Sequence, residues 1–246
     1  MENKKGSGIF LGVVSVATLI VAIIGATFAF FSTQTGSENN AVSVGAYEFA
    51  TSVKSVERIY PTTEDEAKFT QGIIPLNAAK KIAETETTYL MRAIANDKKC
   101  IDEKGYMVCV LYKVTLTNTS TTAAEMNLTV KTTKNDKGAG GAAFSDLTFQ
   151  ALSGDETAFT LDGTAAKLLD TDQAVVIKKD AGDLTITAAA ADTTGTAKET
   201  VHYFVVYLNE ETETTNQSSQ MGAKYEGQLI YTTTTGGNTL TGTFTA

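Results

Sequence analysis

Cys100 to Ser120, CIDEKGYMVCVLYKVTLTNTS, holds the pattern that decides the fold. Val108, Val110, Tyr112, Val114 and Leu116 recur at every second position, while Lys113, Thr115 and Thr117 occupy the alternate ones. That period is the signature of a half-buried strand. Asn118-Thr119-Ser120 then makes a turn, and the following AEMNLTVKT sets Met126, Leu128 and Val130 on one side. The pattern predicts a hairpin-like pair at the heart of the domain.

Working outward, the same chemistry repeats. Val201 to Leu208, VHYFVVYL, is apolar on both faces and reads as a central strand covered on both sides. Tyr225 to Thr235 and the closing TLTGTFTA read as strands, and in the latter Leu240, Gly242, Phe244 and Ala246 alternate with threonines. DLTFQAL, AVVIKKD and DLTITAAAA are further strands between glycine-bearing loops, and Ala41 to Phe49 is another. With 2 prolines, no tryptophan and abundant threonine, the chain is expected to be mainly β. The expected fold is an antiparallel, jelly-roll-like β-sandwich with one or two short helices, spanning residues 41–246. The best helix candidate is Asn77 to Asn96, where the central TETT weakens the pattern. Gly72 to Leu76 is a short apolar element that Pro75 confines to an edge. Residues 60–72 read as an acidic loop, and Asn135 to Ala143 as a flexible link. Phe144 to Gly195, or more broadly 135–200, is a candidate insertion on one edge of the sandwich.

The N-terminus is of another kind. From Ile9 to Phe31 there is no charged residue, and Lys4 and Lys5 lie just ahead. A helix of ~20 apolar residues crosses a bilayer, so this segment meets a membrane during synthesis. Residues 1–29 are therefore a signal peptide or a membrane anchor. Thr27 and Ala29 supply small residues for a cut before Phe30, and Gly25 loosens the helix there, which favours cleavage between Ala29 and Phe30 over retention. Residues 30–40, FFSTQTGSENN, then form a polar tail tipped by two aromatic side chains and expected to be mobile.

Charge and reactive residues exclude several functions. The formal net charge of −8 falls to about −9 once Lys4 and Lys5 leave together with Glu2. No basic cluster is available to grip phosphates, so nucleic acid is not an expected partner. Cys100 and Cys109 bracket a loop with Lys104-Gly105 as its turn, and in an exported chain this spacing predicts a disulfide. The 1 histidine, His202, sits in an apolar strand and cannot build a two-histidine zinc site. His-Glu-x-x-His is absent. Glu64-Asp65-Glu66 and Glu210-Glu211 lack the alternating oxygen spacing of a calcium loop. Gly138 to Gly141 lacks the Lys-Ser/Thr of a phosphate cradle. Asn118-Thr119-Ser120 and Asn127-Leu128-Thr129 match the short glycosylation sequon. No catalytic residue, metal ligand or cofactor is assigned.

Gly25 to Phe49, GATFAFFSTQTGSENNAVSVGAYEF, resembles the leader and mature start of the TasA and camelysin family, which is exported through a SipW-type signal peptidase. A second likeness lies in NQ-x3-MGAKYEGQLIYTTTT near the C-terminus. Alignment to the family also allows a cut after Phe30. The resemblance implies a secreted, cell-surface-associated subunit of biofilm-matrix fibres. In that reading Phe30, Phe31, Ser32, Thr33 and Gln34, freed by cleavage, donate a strand to the next subunit and build a head-to-tail homo-oligomer, joined by other matrix proteins. A monomeric, membrane-anchored surface domain that binds a ligand or adheres is the alternative. A camelysin-like metalloprotease ranks third, since the zinc ligands are missing.

Overall fold

The computed structural model describes residues 50–62, 72–76, 85–95, 99–168, 172–209 and 217–246. The leader, the aromatic tail, the strand expected at Ala41 to Phe49 and both acidic runs lie outside them. In chain order the elements are β1 (Thr51–Tyr60), α1 (Glu86–Ala93), β2 (Cys109–Asn118), β3 (Ala124–Asp136), β4 (Leu147–Asp155) and β5 (Ala158–Lys167). They continue with β6 (Ala174–Val176), β7 (Lys178–Lys179), β8 (Gly182–Asp183), β9 (Thr185–Ala188), β10 (Lys198–Leu208), β11 (Lys224–Thr233) and β12 (Thr239–Thr245).

The fold is mainly β, and the paired strands run antiparallel. One sheet has the order β1-β2-β10-β4-β5; the other runs β12-β11-β3, with β6 and β9 both pairing β3. Both sheets supply the same apolar core, Val110, Tyr112, Phe149 and Phe204 from the first meeting Leu128, Tyr231 and Phe244 from the second. This is the layering of a sandwich. Phe204 is its hub: its ring stacks on Tyr112 and Phe149 at 4.9 and 4.8 Å and meets Phe244 edge-on at 5.0 Å.

The periodic stretch forms β2 as read, but not as half of a hairpin. β2 pairs with β1 and β10, whereas β3 pairs with β11, β6 and β9. The turn therefore carries the chain from one sheet to the other. Asn118 holds that crossing: its side-chain amide donates to the Thr122 carbonyl at 2.9 Å and its Oδ1 accepts from the Ser120 amide at 2.9 Å. Met126, Leu128 and Val130 do point inward, across from Tyr112, Val114 and Leu116 rather than beside them. Alternation fixes which face is buried but not which sheet buries it.

The outer face of β2 is also covered over its first half. Cys109 and Leu111, with Val205 and Tyr207 of β10, enter a second cluster formed with Leu76, Tyr89, Leu90 and Ile94. Val108 belongs to this outer cluster and not to the inner row expected for it. Of the expected Asn77 to Asn96, the described residues hold the helix Glu86–Ala93, and the TETT that weakens the pattern is where it starts: Thr85 is the N-cap, its hydroxyl accepting from the Thr88 amide at 3.1 Å. Gly72 to Pro75 form no strand; Ile73 and Leu76 are buried, and the Ile74 amide donates to the Met107 carbonyl at 2.8 Å.

One further expectation is corrected. Residues 135–143 are not a loose link, because Asn135 pins both ends, donating to the Phe144 carbonyl at 2.8 Å and accepting from its amide at 3.0 Å. A Cβ at Gly138 would lie 2.2 Å from the Ala223 nitrogen, so only glycine permits this packing. Within the stretch 135–200, β4 and β5 form the end of the first sheet beyond β10, β6 and β9 add to β3 in the other, and Lys179 pairs with Asp162 of β5 between them. Strands β1 and β5 have no counterpart in the sequence reading.

Candidate functional site

The described residues offer an outer cap, a half-buried histidine between the sheets, a cleft at one end and the terminal strands of the first sheet. The cap is built around the cysteines. Cys100 and Cys109 are joined by a disulfide, Cα to Cα 5.0 Å, and both are fully buried. Lys99 and Cys100 adopt left-handed backbone with φ of 53° and 62°, a conformation that costs an ordinary residue roughly 1–2 kcal/mol. The Cys100 amide donates to Ala93 at the end of α1, and the Val108 amide donates to Cys100. The bridge thus ties the helix, the loop and the start of β2 into one unit. Asp102 organises the loop between, accepting from the amides of Lys104 and Tyr106 at 2.9 and 2.7 Å, and Tyr106 projects from its tip.

His202 lies on the inner side of β10 and reaches Tyr231 of the opposite sheet, Nε2 to hydroxyl 2.8 Å. Burial pushes the imidazole down to about 4 and the Tyr231 hydroxyl well above its usual range. The histidine is a neutral brace between sheets. Among the described residues no three His, Cys, Asp or Glu side chains gather as metal ligands.

The cleft occupies the end where β1 begins and has a volume of about 810 Å³. Three connections form its walls: the start of β1 at Ala50 and Thr51, the crossing from Asn118 to Glu125, and the β11–β12 turn at Thr233 to Asn238. The Thr234 amide donates to the Glu125 carbonyl at 2.9 Å, and the Thr233 amide to the Asn238 carbonyl at 2.8 Å, which braces two walls. Glu125 is the charged residue of the lining. Sequence reasoning missed this cleft, because threonines that look like ordinary strand surface converge only when β2 and β3 part into different sheets.

The first sheet ends at β1 and β5, each paired along one side. On the β1 side the layers meet through the Tyr112 hydroxyl, which donates to the Thr245 carbonyl, and through Gly242, where a Cβ would lie 2.7 Å from Val56 Cγ2. On the β5 side Lys179 pairs with Asp162 at 2.7 Å.

Of the residues singled out in the sequence, Cys100 and Cys109 are brought together. Ala29, Phe30, Phe31, Ser32, Thr33 and Gln34 lie outside the described residues. Asn118 of the first sequon is fully buried and engaged in hydrogen bonds, while Asn127 of the second is half-buried and donates to Asp183 at 3.3 Å. No family model, curated protein or solved structure matches the chain.

Proposed function

We propose that this chain is an exported structural subunit of extracellular fibres or a cell-surface matrix, of the TasA type, and that it catalyses nothing. A signal peptidase cuts at Ala29–Phe30, the released Phe30 to Gln34 tail adds as a strand to the next subunit, and repetition gives a head-to-tail filament. Residues 41–246 then act as a jelly-roll-like building block. The observation that supports this reading most is that β5, at the end of the first sheet, pairs with β4 alone among the described strands. A terminal strand of this kind can template an incoming strand through its outward N–H and C=O groups. The cap contributes by locking the outer face of β2 with a disulfide, a device suited to oxidising surroundings.

Export is tested by mass spectrometry of the protein recovered from its producing cells. A mature N-terminus at Phe30 in the medium agrees with the proposal. Intact Met1 held in the membrane fraction would replace it with the anchored surface domain.

A further inference from the structure

We infer that the cleft beside Ala50 binds a neutral, hydroxyl-rich chain, a segment of uncharged polysaccharide. Its size is the first argument: about 810 Å³ falls among volumes that enclose small ligands or a few sugar rings. Its chemistry is the second. The exposed lining residues Thr122, Thr235 and Asn238 both donate and accept as sugar hydroxyls do, with alanine and threonine methyls between them for C–H faces.

The walls are preorganised. Asn118 and Ser120 are held within the crossing turn, and the Asn238 amide donates to the Thr233 hydroxyl at 3.0 Å. Because the backbone groups of these turns bond one another, the exposed side chains of Thr122, Thr235 and Asn238 meet a ligand without first rearranging. Charge decides the ligand class. Among the described residues no lysine or arginine lines the cleft, and Glu125 repels anions, so uronate polymers and phosphates are disfavoured. An extended peptide fits less well, since strand recognition relies on a sheet edge and this cleft is walled by turns and strand ends. With no aromatic platform among the described lining residues, each ring binds weakly and affinity grows with the number of rings engaged.

The test is affinity electrophoresis of the mature protein in native gels cast with a neutral glucan, with polygalacturonate, or with neither. The expected result is retardation by the neutral glucan alone. It should weaken about fivefold in the Thr235→Val, Asn238→Ala double variant, as loss of hydroxyl and amide hydrogen bonds implies. Thr160→Val, on β5 away from the cleft, should be retarded like the parent, and equal urea midpoints would show that all variants fold. Absence of retardation, equal retardation of the double variant, retardation by polygalacturonate alone, or binding of a threonine-rich peptide without glucan would overturn the inference.

Discussion

His202 shows how a single side chain couples this sandwich to its solution. Its imidazole is neutral in the fold, held down to about 4 by burial, while in the unfolded chain it takes a proton near 6.5. The unfolded state therefore gains protons first as the solution is acidified. The stabilisation is complete above 6.5 and is lost as pH falls from 6.5 to 4, by up to about 3 kcal/mol. Urea midpoints should drop through that window in the parent and drop less in His202→Gln; identical slopes would refute the assignment. Asp155 and Asp192 add a separate dependence at lower pH, their carboxylates held below the usual range by hydrogen bonds from Thr157 and Thr194. Phe204 tests the core. Its ring touches three others, so Phe204→Ala should cost about 3–5 kcal/mol by denaturant unfolding, whereas Phe204→Leu should cost markedly less.

Among the elements, α1 with its disulfide-linked loop shows where the sequence was legible and where it was not. The cysteine pair could be read because its spacing brackets a short loop with Lys104-Gly105 as its turn, and the expected export pointed the same way. The helix could be placed only loosely, because its N-cap, Thr85, looks like a helix-breaking residue until its hydroxyl is seen capping the Thr88 amide. Thr85→Ala should lower stability by about 1 kcal/mol. Replacing Cys100 and Cys109 together by serine should lower it by more, about 2.5–3 kcal/mol from the loop entropy released, provided the parent is measured oxidised. A loss no larger than that of Thr85→Ala would mean that the bridge does not hold the cap. β1 escaped the sequence reading for a physical reason: the register shifts between Val53 and Ser55, so its buried Val53 and Val56 are three residues apart and break the period of two. β5 escaped because an edge strand with an outward row of threonine, aspartate and lysine has little apolar alternation to show.

Over the whole molecule, the mainly β character and the inward rows of β2, β3, β10 and β12 were legible, because burial on one face leaves a mark at every second residue. Sheet membership was not, because the same alternation serves a hairpin and a crossing between sheets; only the bonds made by Asn118 distinguish them. The cleft was hidden for the same reason, being assembled from turns distant in sequence. An acidic net charge of −8 makes separate copies repel one another, so the proposed assembly needs a specific contact able to overcome that repulsion. The account places that contact in the tail that begins at Phe30. Negative-stain microscopy of the chain starting at Phe30 beside one lacking residues 30–38 tests this most directly. The account predicts filaments from the first and dispersed particles from the second; equal filaments from both would contradict it.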